Sequence, residues 1–206
     1  DAPVLATVSD VSFDEDGSGS TSLSANDVDG DNLTYSISGG SDITAELTGS
    51  DVTFSVPQDF NGSESFTATV IDGNLDDSQS FIVTVLAVND TPVANTATGV
   101  TNEDQSVVIS LSGSDIDGDN LTYSLDSDAL NGSVALDGAL ATYAPNSNFN
   151  GDDSFSFTVS DGEYSSSAEV SVTITAVNDA PVLATVSDVS FNEDGSGSTS
   201  LSGSDV

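Results

Sequence analysis

Among its 206 residues this chain has no lysine, arginine or histidine, against 35 aspartates and glutamates. No carboxylate in it can pair with a side-chain cation. Each acid must be solvated, hydrogen-bonded, protonated or held against a cation from outside. The acids fall in short clusters that return along the chain, a pattern that points to bound metal. The same charge removes classes of partner. Nothing here can neutralise a phosphate, which excludes nucleic acid, and direct adhesion to anionic lipid fails for the same reason. At low salt the chain repels itself and stays soluble; a saline exterior would screen that repulsion.

High net charge with few aromatics can mean disorder, but apolar and polar residues alternate too regularly here. Cysteine is absent, so no disulfide staples the fold and a divalent ion is the natural substitute cross-link. No apolar run is long enough to span a bilayer, and no signal peptide is visible. The sequence begins and ends in mid-pattern, as a stretch of something longer would.

The pattern is an internal repeat. Val88-Asn89-Asp90-Thr91-Pro92 returns as Val177-Asn178-Asp179-Ala180-Pro181, and Phe60-Asn61-Gly62 as Phe149-Asn150-Gly151, both shifted by 89. Asp27 to Ser36 returns at Asp115 to Ser124, shifted by 88, so one residue is lost early in the second copy and regained later. Residues 179–206 copy residues 1–28 except that Asp14, Ala25 and Asn26 become Asn192, Gly203 and Ser204. The larger period is therefore 178, a two-domain module. The expected domains are 1–89, 90–178 and a partial third repeat, 179–206, holding only N-terminal strands.

Each copy reads as strands. Phe66, Ala68 and Val70 alternate with Ser65, Thr67 and Thr69; Phe155, Phe157 and Val159 do the same, as do Val170, Val172 and Ile174. This is period two with one buried face. Tyr35, Tyr123, Phe66 and Phe155 alternate with polar neighbours and read as core. Asn131-Gly132 between short apolar runs predicts a hairpin turn. About seven short strands per copy fit an immunoglobulin-like sandwich, and very short linkers predict domains set end to end. The two strands of the partial repeat cannot bury a core alone.

Three acidic clusters recur: Asp14-Glu15-Asp16 with its copies Asn102-Glu103-Asp104 and Asn192-Glu193-Asp194; the D-x-D-G-D-N loops at Asp27 to Asn32 and Asp115 to Asn120; and the Asn-Asp linker before proline. Dense carboxylate and amide oxygens on loops suit calcium, which takes about six to eight oxygen ligands. Zinc would want the absent His or Cys, and magnesium a tighter octahedron with more water. The loop is not an EF-hand: its glycine comes fourth rather than sixth, and Ser38 stands where the closing glutamate belongs. Asp, Asn and Gly are also ordinary turn residues, so each cluster alone reads as a solvated turn rather than a ligand set. Recurrence of all three without any counter-charge favours calcium.

In their order and spacing, N-E-D, D-x-D-G-D-N-L-T-Y-S, N-F-N-G-D-D-S-F-S-F-T-V-S-D-G and A-V-N-D-A-P, best seen over residues 90–181, resemble the bacterial cadherin-like tandem repeats of large surface adhesins. The resemblance covers the whole chain. It implies an all-β fold of tandem immunoglobulin/cadherin-like Greek-key β-sandwiches arranged end to end, with Ca2+ held where successive domains meet. It implies a first junction built from Glu15, Asp59, Asn61, Asn89, Asp90, Asp115, Asp117, Asn120 and Asp161. A second would use Glu103, Asn148, Asn150, Asn178, Asp179 and Asp205. Asp27, Asp29, Asn32 and Asp72, with Asp1, would serve a preceding domain. Asn61 and Asn150 stand where cadherins have glutamate, Asn148 where they have aspartate, and Ala87 and Ala176 replace the first linker aspartate. Fewer charged ligands imply fewer or weaker ions per junction than in animal cadherins.

Catalysis has little to work with. Ser-His-Asp, Cys-His and lysine Schiff-base chemistry are all impossible, and carboxylate pairs that could hydrolyse glycosides repeat with the domain, as scaffolding does. Asn32, Asn61, Asn89, Asn120 and Asn131 each begin an N-x-Ser/Thr sequon, a pattern frequent by chance in such a composition. The expected role is mechanical: non-enzymatic, calcium-stiffened spacer repeats of a long secreted bacterial surface adhesin or fibre. Its partners would be adjacent repeats and, in a fibre, identical chains. A self-assembling extracellular filament, or a calcium-dependent glycan- or protein-binding module, is the alternative.

Overall fold

The alternating pattern becomes sandwich in the computed structural model, which describes residues 1–205, and every regular element among them is a β-strand. The chain divides into two units, Asp1–Asn89 and Asp90–Val206. In the first, β1 (Val4–Leu5), β2 (Val11–Asp14), β3 (Gly19–Ser22), β4 (Ala25–Asn26), β5 (Thr34–Gly39), β6 (Thr44–Thr48), β7 (Asp51–Ser55), β8 (Gly62–Ile71) and β9 (Asp76–Leu86) follow in order. One sheet runs β2-β9-β8-β5 and the other β3-β7-β6, with β1 paired to β4. β1 and β2 are halves of one interrupted strand, and β3 and β4 of another, so the seven expected strands are present as nine segments. β2 lies parallel to β9 and the other pairs are antiparallel.

The second unit repeats this with β10 (Val93–Asn95), β11 (Ala97–Asn102), β12 (Val107–Ser110), β13 (Ser112–Ser114), β14 (Thr122–Ser127), β15 (Gly132–Asp137), β16 (Leu140–Pro145), β17 (Gly151–Ser160) and β18 (Ser165–Thr175). Its sheets are β11-β18-β17-β14 and β12-β16-β15, with β10 paired to β13.

The apolar half of each alternation is the core. In the first unit Phe54, Phe66 and Phe81 meet at 5.2, 6.0 and 6.1 Å between ring centres, around Val52, Ala68, Val70 and Val83, all fully buried. Each such ring contributes about 2–3 kcal/mol of burial. The second unit keeps the volume but moves an aromatic: Phe157 stands at the place of Ala68, and Val170 at the place of Phe81, all of them buried. Such paired exchanges conserve core volume, which cores tolerate best.

One turn lies elsewhere than its sequence suggests. Asn131-Gly132 does not close a hairpin; it leads from β14 in one sheet to β15 in the other. The hairpin between β15 and β16 turns at Gly138, with φ +56° and Asp137 opposite Leu140. Gly132 is instead a clearance position: a Cβ there would lie 2.6 Å from the Tyr143 ring and 2.7 Å from the Ala144 carbonyl.

Beyond β18, β19 (Val182–Leu183) pairs with β20 (Gly203–Ser204), repeating the β1–β4 ladder of Val4 with Asn26. Leu5 is 3% exposed and its copy Leu183 is 64% exposed. Leu5 packs into the core of the first unit, whereas Leu183 belongs to no core cluster among the described residues. The last residue of the expected partial repeat, Val206, lies outside the described residues.

Candidate metal centre

Strand pairing sorts the recurring acidic clusters of each unit to two ends. Thr34 at the start of β5 faces Ile71 at the end of β8, so the Asp27 loop and the Asp72 turn share one end. Glu15 donates its backbone N–H to the Leu86 carbonyl, at the far end of β9. The length of β9 separates these ends by about 33 Å.

At the first end the loop is built by a carboxylate. Asp27 Oδ1 accepts the N–H groups of Asp29 at 2.8 Å and Asp31 at 3.2 Å, and Gly30 takes φ +78° to let the chain turn back. Asp115 does the same for Asp117 at 3.0 Å and Asp119 at 3.2 Å, with Gly118 at φ +80°. The second oxygen of each lead aspartate, Asp27 Oδ2 and Asp115 Oδ2, is buried without a hydrogen-bond partner. Buried carboxylate oxygens are normally paired or metal-bound, and the sequence holds no side-chain cation. Asp27, Asp29 and Asp31 bring one oxygen each within 4.8 Å of one another, and so do Asp115, Asp117 and Asp119. That donor set fits a hard, oxygen-seeking divalent ion. Asp31 and Asp119 were not among the ligands implied by resemblance; their place in the D-x-D-G-D-N string was the available signal.

Neighbouring residues complete this end. Asp29 receives the amino group of Asp1, and Asp117 Oδ2 receives the Asp90 N–H at 2.8 Å. Asp72 Oδ1 accepts from Asn74 at 2.7 Å and Leu75 at 2.8 Å. Those bonds, Leu75's first, hold its carboxyl below the usual aspartate value. Asp161 does the same for Glu163 at 2.6 Å and Tyr164 at 2.7 Å. Asn32 and Asn120 are exposed on the same loops. Turn and metal readings thus apply to different oxygens of one group: Oδ1 holds the turn, and Oδ2 of Asp27 and Asp115 is left over.

At the opposite end of each unit sits a buried acid, Glu15 in the first and Glu103 in the second. Glu15 Oε1 accepts the Val88 N–H at 2.5 Å, and Asn61 Nδ2 reaches Oε2 at 3.5 Å. Glu103 Oε1 accepts the Val177 N–H at 2.5 Å. Each glutamate thereby holds the start of its linker, which carries Asn89 in one unit and Asn178 with Asp179 in the other. Asp59 N–H donates to Asp16 Oδ1 at 3.3 Å, and Asn148 N–H to Asp104 Oδ1 at 3.1 Å. All four take left-handed backbone angles, φ 56–61°, which Asp and Asn tolerate best after glycine. Asp16 and Asp104 belong with this group, although resemblance did not single them out. Asn178 Nδ2 donates to the Asp179 carbonyl at 2.9 Å. Asn61 and Asn150 flank the start of β8 and β17, exposed, and Asp205 follows β20, also exposed.

A family profile described as a bacterial Ig domain matches residues 1–85 and again 89–175. The chain belongs to the bacterial Ig domain family. No curated protein matches the sequence. Among solved structures, human protocadherin-24 EC1-2 in its form II is similar over 84% of this chain and 97% of that one, at 18% identity and TM-score 0.58. A second structure of protocadherin-24 EC1-2 gives 15% identity over 85% and 98%, with TM-score 0.52. The endo-fucoidan hydrolase MfFcnA4 of glycoside hydrolase family 107 is similar at 22% identity and TM-score 0.38; 85% of this chain is covered but only 29% of that enzyme. These bacterial Ig domains are tandem β-sandwiches of the immunoglobulin and cadherin kind.

Proposed function

We propose that these bacterial Ig domains are calcium-stiffened spacer repeats of an extracellular bacterial surface protein, with no catalytic role. The observation that carries the reading is the buried, unpartnered oxygen on Asp27 and on Asp115, inside a three-carboxylate loop of a chain with no cationic side chain. A calcium ion would supply the positive charge that these oxygens lack. Asp115, Asp117, Asp119, Asn120 and Asp161 would hold it in one unit, and Asp27, Asp29, Asp31, Asn32 and Asp72 in the other. Glu15, Asp59, Asn61, Asn89 and Asp90 would join the first set across the linker. Glu103, Asn148, Asn150, Asn178, Asp179 and Asp205 would form the matching set at the next one. In that role Glu15 and Glu103 fix the linker backbone at Val88 and Val177, and the lead aspartates keep each loop folded around its oxygens.

The test is calcium titration by calorimetry on the joined units and on each unit alone. The proposal expects binding in the range of about 0.1–1 mM typical of extracellular modules, tighter in the joined protein. Small-angle scattering should show a chelated chain that is shorter and more variable. Calcium that leaves both heat and scattering unchanged would sink the reading.

A further inference from the structure

One cleft of the second unit sits at a break in the repeat. It lies where the connection between sheets gains the residue that moves the repeat from a shift of 88 to 89. In the first unit this connection starts with Gly39 and Gly40, at φ +114° and +76°. A Cβ on Gly39 would sit 2.4 Å from the Ser65 carbonyl oxygen, and one on Gly40 2.3 Å from that of Ile43 and 2.6 Å from the Phe66 ring. Without side chains the backbone lies flat on Phe66. Glu64 then collects the N–H groups of Ser41, Asp42 and Ile43. The hollow left there is about 230 Å3.

Ser127 and Asp128 occupy those positions in the second unit. Side chains there would not fit the flat path taken by Gly39 and Gly40, and the β14–β17 register slips between Leu125 and Ser127. What opens is a cleft of about 770 Å3, lined in part by Asp128, Leu130, Asn131, Asp152, Ser171 and Val172. Asp153 is spent on the N–H groups of Leu130 and Asn131 and on the Tyr143 hydroxyl. Asp128 uses Oδ1 for Ala129 and Val134, and Asp152 uses Oδ1 for the Thr173 hydroxyl. Both aspartates line the cleft with exposed side chains, beside Leu130, which is 86% exposed.

We propose that this cleft docks a lysine- or arginine-bearing segment of another protein. Two carboxylates beside the exposed Leu130 match a cationic head on an apolar stem. Anionic ligands are excluded by the field of the chain. A second copy cannot fill the cleft, because the sequence has no cationic side chain to offer. No aromatic ring lines it on which a sugar could stack.

The experiment is amide NMR on the full chain in saturating calcium, titrated with a short Lys/Arg/Leu peptide, its Glu-substituted counterpart and a neutral oligosaccharide. The basic peptide should move amides at residues 127–131, 152–154 and 171–172, and the acidic one none. Asp128→Asn with Asp152→Asn should weaken binding about tenfold, the order two surface ion pairs carry together. Glu46→Gln with Asp137→Asn, equally exposed but remote, should leave it unchanged. Shifts spread over every acidic loop, or equal loss in both double variants, would mean diffuse charge attraction and overturn the proposal. So would an oligosaccharide that moves these amides when the basic peptide does not.

Discussion

Tyr143 donates its hydroxyl to Asp153 Oδ2 at 2.9 Å, and in the first unit the same two positions are Phe54 and Glu64. The exchange is coupled. Glu64 is one methylene longer and reaches Ser41 Oγ and three backbone N–H groups of its loop by itself. Asp153 is shorter, holds two loop N–H groups, and takes its remaining bond from the core. Both arrangements tie the connection between the sheets to the long central strand with one carboxylate.

Tyr143→Phe should therefore cost the second unit about 1.5–3 kcal/mol, the worth of a hydrogen bond to a charged group, read as a shift in urea midpoint. Burial first, and the Asp153 bond second, push the Tyr143 phenol above its ordinary value of 10. As pH rises past that value the unfolded chain releases this proton while the folded unit keeps it, so stability falls. Thermal melts in alkali should show the second unit losing stability on this account, and the Phe variant losing less.

Glu64 sets the opposite dependence in the first unit. The Ser41 hydroxyl, then the Ser41 N–H and the following amides, lower its carboxyl from 4.5 to about 2. Its stabilising contribution is present above the unfolded value and is lost as pH falls from about 4.5 towards 2. Glu64→Gln should make the first unit less stable at neutral pH and flatten its acid unfolding over that window. Identical acid profiles for the two proteins would remove Glu64 from the account.

The core was legible because one face of each strand is buried, and a period of two then writes itself into Phe66, Ala68 and Val70. Asn131-Gly132 misled because two different constraints select glycine: a turn needs its backbone angle, whereas here the Tyr143 ring needs its missing side chain. That ring sits on β16, the strand paired to β15, and only their register brings it against Gly132. The acid loops were legible as oxygen clusters through recurrence. What residue types could not reveal is how each carboxylate divides its two oxygens. Asp72 and Asp27 look alike as letters, yet only geometry shows Oδ2 of Asp27 buried and unpartnered.

Glu103 offers a test of linker anchoring that needs no metal. Its carboxylate accepts the Val177 N–H at 2.5 Å from a buried position. In chelator, Glu103→Ala should speed hydrogen exchange at Val177 by about 10–100-fold, the equivalent of a lost bond to a charged acceptor. Exchange in the β17–β18 ladder should be little affected. Glu103→Gln keeps an acceptor oxygen and should fall between.

Asp115→Asn separates the metal reading from the turn reading by the sign of its effect. Asparagine keeps Oδ1 for the Asp117 and Asp119 N–H groups, so the turn survives, while a buried charge without a partner is removed. In chelator the variant should melt at the same temperature as the parent or above it, since like-charge repulsion and desolvation both fall. In excess calcium the order should reverse. The parent gains about 1–3 kcal/mol if calcium stands at ten to a hundred times its dissociation constant, and the variant gains less. A variant less stable than the parent in chelator, with no further difference on adding calcium, would make Asp115 a turn residue alone.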